Sequence, residues 1–218
     1  LMHSDIPAES LQRVEKQCSA FGCALHPVPV SADFFQEAPV TKRYPQEMYY
    51  RLLAPHLLPE DLDRILYLDP DILVINSLRP LWETDLKGCL FAAASHTGLT
   101  EIANDVNRIR LGTDSDYYNS GVLLMDLNAC RKEIVPEEVF AFSAGHRVSL
   151  LLPDQDILNA MYGNRILPLD DAVWNYDARN FNSYRLRSSG KADADWVIDN
   201  TTILHFCGRA KPWKPGYP

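Results

Sequence analysis

The 218-residue sequence has no apolar run near the roughly 20 residues that a membrane-spanning helix needs, which excludes an ordinary bilayer-crossing helix. It lacks a basic excess: 21 Lys and Arg stand against 29 Asp and Glu, a formal net charge of −8. A nucleic-acid backbone calls for a clustered basic surface, so no nucleic-acid partner is expected. Cysteine is sparse and scattered, with Cys18, Cys23, Cys89, Cys130 and Cys207 forming no Cys-x-x-Cys pair. An odd count at irregular spacing fits reduced thiols in a cytoplasmic setting better than a disulfide framework. No four ligands cluster with the spacing of structural zinc, and no secretory signal, low-complexity linker or internal repeat is visible. What is present is ordinary for a globular domain, 46% hydrophobic and 23% charged residues, and the chain is long enough to bury a full core.

Apolar spacing predicts a helix over Ser10 to Ala20, carried by Leu11, Val14, Cys18 and Phe21 and ended by Gly22. Ala24 to Val30 reads as a strand that Pro27 and Pro29 confine to an edge or break early. A helix is expected over Pro45 to Ala54, then a buried parallel strand at Ile65-Leu66-Tyr67-Leu68. Further strands are expected at Ile72–Ile75, Leu90–Ala94, Gly121–Leu127 and Thr202–Phe206. Helices are expected at Pro136–Ala144 and Gln155–Tyr162, the latter closed by Gly163. The alternation predicts an α/β fold around a mostly parallel sheet, with ligand chemistry at the carboxyl ends of its strands.

The sharpest local signal is Ile65-Leu66-Tyr67-Leu68-Asp69-Pro70-Asp71, four apolar residues running into two carboxylates one residue apart. Residues i and i+2 of an extended segment share a side, and two such anions call for a cation between them. A divalent metal satisfies this; two turn aspartates flanking a proline are the plainer alternative. The second signal is His205-Phe206-Cys207-Gly208, followed by Lys211, after an apolar strand. An imidazole joining two carboxylates suits manganese or magnesium better than zinc. Gly208 lets backbone approach a ligand, and Lys211 is a point charge suited to phosphate. The plainer alternative is a core-edge histidine followed by a solvated basic turn. Tyr117-Tyr118-Asn119-Ser120-Gly121-Val122 places polar groups ahead of a strand, and Asp154-Gln155-Asp156-Ile157-Leu158-Asn159 opens a helix that Asp154 could simply cap.

Together these segments resemble the retaining glycosyltransferases of family 8, the group holding bacterial lipopolysaccharide galactosyl- and glucosyltransferases and glycogenin. The resemblance runs from the first residues through Trp213. It is carried by Tyr67 to Val74, Leu78 to Leu86, Asn119 to Val122, Asp154 to Asn159 and His205 to Gly208. It implies a GT-A fold, a Rossmann-like mixed and mostly parallel sheet flanked by helices, in one domain over residues 1–218. It implies a UDP-glucose or UDP-galactose donor, with Mn²⁺ or Mg²⁺ on the diphosphate and a glycan, lipid or other hydroxyl as acceptor. Carried over by position, Asp69, Asp71 and His205 would be metal ligands, and Gly208 and Lys211 would hold the diphosphate. Arg51, in Tyr49-Tyr50-Arg51-Leu52, matches a family arginine near the donor. Asn119, Asp154 and Gln155 would line the donor sugar, Gln155 and Asp154 being the catalytic candidates. Because Gln155 is a neutral amide and a weak nucleophile, front-face attack is expected rather than a covalent intermediate.

Two departures from the family accompany the resemblance. His96 stands where some relatives carry an aspartate that touches acceptor or donor hydroxyls. Leu1 is not a natural initiator, and Leu1-Met2-His3-Ser4-Asp5 reads as a strand's end entering a turn. The family's first strand, with its nucleoside pocket, is therefore expected in about 30 residues upstream, the size of one strand–helix unit. A basic tail that attaches some members to the membrane periphery would lie beyond Pro218. A haloacid-dehalogenase-type phosphatase offers a rival, with Leu167-Pro168-Leu169-Asp170-Asp171 as its second motif, but Leu73 sits where that class needs Thr or Val. A non-catalytic nucleotide-sugar- or glycan-binding protein on the same fold is the other alternative.

Overall fold

The computed structural model describes residues 1–40, 45–95, 101–146, 150–208 and 210–217. Its strands are β1 (Met2–His3), β2 (Val28–Pro29), β3 (Arg64–Leu68), β4 (Ile72–Val74), β5 (Phe91–Ala94), β6 (Val122–Asp126), β7 (Ile166–Leu169), β8 (Tyr176–Asp177) and β9 (Ile203–His205). Between them lie α1 (Ala8–Ala20), α2 (Tyr50–Leu57), α3 (Arg79–Trp82), α4 (Glu101–Leu111), α5 (Leu127–Glu133), α6 (Pro136–Gly145), α7 (Pro153–Tyr162), α8 (Asp171–Trp174), α9 (Phe181–Arg187) and α10 (Ala194–Asn200).

The main sheet runs β3-β6-β5-β7 and a second runs β4-β9-β8, while β1 and β2 form a separate pair. The result is an α/β fold with mixed sheets and flanking helices, as expected. Parallel pairs are fewer than expected: β1/β2, β5/β7 and β8/β9 are parallel, whereas β3/β6, β5/β6 and β4/β9 are antiparallel. An unbroken apolar run reports burial on both faces but not the direction of the neighbouring strand. β6 illustrates the point. Leu123 and Met125 enter the larger core with Phe91, Leu52 and Ile157, while Val122 and Leu124 enter a second core with Ala92, Leu81 and Ile203.

Several elements differ from their sequence expectation for identifiable reasons. The strand at 24–30 shrinks to Val28–Pro29, because its prolines cannot donate to a ladder. The helix expected from Pro45 begins as a 3₁₀ turn, Gln46–Tyr49, and becomes α-helical only at Tyr50. β3 is antiparallel to β6 and only half-buried, not a buried parallel strand. One flank of β3 opens on a cavity of about 1030 Å³ that separates it from β1 and β2 and reaches Arg51, Asp69 and Asp154. Gly163 does follow α7, but with a helical φ of −55°. Its lack of a side chain matters for packing, since a Cβ there would lie 2.2 Å from Ser115 Oγ. The helix at α1 keeps Leu11, Val14 and Cys18 on its half-buried side, yet buries no residue fully. All five cysteines are unpaired thiols. No helix among the described residues is long and apolar enough to cross a membrane.

Candidate active site

Two antiparallel registers meet at Asp69-Pro70-Asp71. Pairing of Leu68 with Val122 brings Asp69 beside Gly121, whose carbonyl accepts from the Asp69 N–H at 2.8 Å. Pairing of Ile72 with His205 does the same for Asp71, whose carbonyl accepts from the Phe206 N–H at 3.0 Å. One ligand atom each from Asp69, Asp71 and His205 lies within 4.8 Å of the others. The two carboxylates converge through a turn at Pro70–Asp71, not along an extended segment as the spacing suggested. The turn also separates the strands on either side of it: β3 belongs to the main sheet and β4 to the second.

The donor set fits a divalent cation of the manganese or magnesium type, with two carboxylates and one imidazole. The surroundings are also shaped around it. A Cβ on Gly121 would stand 2.5 Å from His205 Cε1, 2.8 Å from Asp69 Oδ2 and 3.1 Å from Asn119 Oδ1. Only a residue without a side chain leaves the three groups where they are.

Arg51, on α2, is the electrostatic hub. Its guanidinium reaches Asp69 Oδ1 at 3.0 Å, Asp154 Oδ2 at 2.9 Å and Ser120 Oγ at 2.9 Å, and stacks 5.1 Å from the Tyr67 ring centroid. Burial opposes its charge, but Asp154 and Asp69 outweigh that and hold its pKa above the ordinary arginine value. Burial first, then the Asp69 carboxylate, pushes the Tyr67 phenol up, so it donates its proton to Asp69 Oδ1 at 3.0 Å. Lys211 bonds Asp71 and, at 2.7 Å, the Phe206 carbonyl. Burial pushes the Cys207 thiol up to about 12, which keeps it neutral and unsuited to nucleophilic attack.

The residues expected around the sugar are assembled beside the acidic cluster. Asp154 lies in the first turn of α7 and does not cap it; it accepts from Ser120 Oγ at 3.1 Å and pairs with Arg51. Gln155 Oε1 accepts from Asn119 Nδ2 at 3.0 Å. Gly208 has a left-handed φ of +83°, with Arg179 Nη1 only 2.7 Å from where a Cβ would be. His96 lies outside the described residues. Of the rival phosphatase motif, Asp170 caps α8 through the Ala172 N–H and Asp171 pairs with Arg187, so both have structural work. Sequence reasoning missed Asn175, which links His205 to Asn119, and the Arg110–Asp156 pair behind Gln155. Neither belongs to a recognisable spacing, although Asp156 stands inside the Asp-Gln-Asp block.

Comparisons with known proteins place the chain in a family. General stress protein A of Bacillus subtilis is 29% identical over 215 residues, covering 95% of this chain and 73% of that protein. Lipopolysaccharide 1,2-glucosyltransferase of Escherichia coli K12 is 27% identical over 194 residues, covering 84% of this chain and 54% of the enzyme. Lipopolysaccharide 1,3-galactosyltransferase of Salmonella typhimurium is 24% identical over 212 residues, covering 94% and 60%. The chain thus spans between about half and three quarters of the length of these relatives. A crystal structure of the galactosyltransferase LgtC with donor and acceptor sugar analogues superposes with a TM-score of 0.78 at 24% identity, covering 98% of this chain and 77% of that one. LgtC is a GT-A glycosyltransferase, and the fold here is of that type. The family model for glycosyl transferase family 8 matches residues 1–215, and the chain belongs to that family.

Proposed function

We propose that this chain carries the diphosphate- and sugar-binding part of a retaining hexosyltransferase that moves glucose or galactose from a UDP-sugar to a hydroxyl of a glycan or lipid. The convergence of Asp69, Asp71 and His205 beside Asn119, Asp154 and Gln155 carries this reading. Asp69, Asp71 and His205 would hold Mn²⁺, which would supply Lewis-acid stabilisation of charge on a departing diphosphate. Lys211 is the protein's own cation for that charge, and Gly208 gives backbone access beside it. Arg51 holds Asp69 and Asp154 in place. Asp154 orients the sugar, and Gln155 stabilises positive charge at its anomeric carbon. In front-face transfer the acceptor oxygen bonds to that carbon as the bond to UDP breaks. The bonding pair leaves with the diphosphate, and the acceptor's proton passes to a diphosphate oxygen. The new linkage keeps the donor's configuration.

The cavity between β1 and β3 supports a second element of the proposal. It adjoins Arg51, Asp69 and Asp154, and is lined by Met2, Val28 and Ile65. An additional strand from a preceding strand–helix unit, together with the nucleoside, suits a space flanked by strands on both sides.

The test is NMR-monitored incubation with UDP-glucose or UDP-galactose, Mn²⁺ and candidate saccharide acceptors. The expected result is UDP release that EDTA abolishes, with an α-linked product from the α-linked donor. A β-linked product would overturn the front-face route. Release of inorganic phosphate from simple phosphoesters, without use of any UDP-sugar, would overturn the transferase reading itself.

A further inference from the structure

Asn175 is fully buried between the acidic cluster and the donor-sugar residues. It follows α8 and precedes β8, whose parallel pairing with β9, Tyr176 opposite Leu204 and Asp177 opposite His205, brings the Asn175 side chain within reach of His205. Its Oδ1 is 2.8 Å from His205 Nδ1, and its Nδ2 donates to Asn119 Oδ1 at 2.9 Å. The polarity of this arrangement follows from backbone groups. The Gly121 N–H can only donate, and it meets Asn119 Oδ1 at 2.9 Å, which identifies that atom as oxygen. Asn175 must therefore present its NH₂ to Asn119 and its oxygen to His205. An oxygen acceptor requires a proton on Nδ1, so in the neutral ring that binds a metal the lone pair is on Nε2, which faces the carboxylates with Asp71 Oδ1 3.3 Å away. On the other side, Asn119 offers its own NH₂ to Gln155 Oε1, which also accepts from the Ser120 N–H at 3.3 Å. One backbone-anchored series of hydrogen bonds thus orients His205, Asn175, Asn119 and Gln155 together.

We propose that Asn175 is a positioning residue that fixes the metal-binding tautomer of His205 and, through Asn119, the amide orientation of Gln155, coupling the metal half of the site to the sugar half. The inference rests on the metal reading of Asp69, Asp71 and His205. Groups that orient a ligating imidazole typically contribute 10–100-fold to metal affinity.

The two halves separate experimentally because Asn175→Asp keeps an oxygen for His205 but loses the N–H for Asn119, whereas Asn175→Ala loses both. Mn²⁺ titrations read by the free-ion EPR signal, thermal melts, and kcat and KM for the UDP-sugar donor are measured on the wild type and both variants. Asn175→Ala should weaken Mn²⁺ binding about 10-fold or more, while Asn175→Asp should bind at least as well as wild type within about threefold. Asn175→Asp should nonetheless lose about tenfold or more in kcat with little change in KM, as expected for lost transition-state orientation. A merely structural residue would lower the melting temperature of Asn175→Ala and leave metal affinity alone. A folded Asn175→Ala with wild-type affinity would overturn the proposal. Should that variant not fold, Asn175→Asp decides alone: retained affinity with reduced kcat supports it, and lost affinity or unchanged kcat overturns it. A wild-type protein that takes up no Mn²⁺ removes the metal reading itself, and this coupling with it.

Discussion

Gly121 and His205 are packed so that no carbon atom can come between them: a Cβ at position 121 would stand 2.5 Å from the imidazole Cε1. The obstructing atoms include the ring and the Asp69 carboxylate, which are themselves held by hydrogen bonds and ion pairs. Gly121→Ala should therefore displace His205 or Asp69 and weaken Mn²⁺ binding about 10-fold or more while the chain still folds. Calorimetric Mn²⁺ titration with a parallel thermal melt checks this. Wild-type affinity in a folded variant would show that the ring moves aside freely.

Arg51 is a single cation serving two carboxylates, and its side chain is only 14% exposed. Arg51→Met should cost about 3 kcal/mol, the low end for removing one partner of a buried pair. Arg51→Lys should recover only part of the loss, since one ammonium cannot replace a planar fork on Asp69, Asp154 and Ser120. Urea unfolding midpoints measure both. Equal midpoints for wild type and Arg51→Met would contradict this account of the hub.

Asp156 is fully buried, takes both terminal nitrogens of Arg110 at 2.8 and 2.6 Å, and accepts from the Tyr117 hydroxyl. Burial alone would raise its pKa, but Arg110, Tyr117 and the Leu151 N–H outweigh it and bring the pKa below the ordinary aspartate value. A carboxylate depressed in the folded state stabilises fully above its unfolded pKa of about 4. That stability disappears as pH falls through the lower, folded value. Asp156→Asn should then be less stable than wild type by about 3 kcal/mol at pH 7, with the gap narrowing as the pH drops below about 4. A gap that is constant between pH 7 and pH 3 would contradict the ionised assignment.

The site was legible where chemistry and local sequence coincide. Asp69 and Asp71 follow an apolar strand one residue apart, and His205 closes another strand, so their types and neighbours announced them. Asn175 was illegible because its role comes from the β8/β9 register and not from spacing along the chain. Strand direction was equally hidden, since Val122-Leu123-Leu124-Met125 feeds two cores whichever way its partners run. Gly163 follows α7, as its position in the sequence predicts, but the reason for a glycine there is Ser115, a residue 48 positions earlier in the chain. Long-range packing leaves no local signature.

The most direct test of the central claim is an EPR titration of Mn²⁺ into the wild type and Asp71→Asn at neutral pH, counting bound ions per chain. Asn keeps the shape of the side chain but removes an anionic ligand from the group formed with Asp69 and His205. The predicted result is one tightly bound Mn²⁺ in the wild type and affinity at least about 10-fold weaker in Asp71→Asn. Indistinguishable binding curves would contradict a metal centre at Asp69, Asp71 and His205.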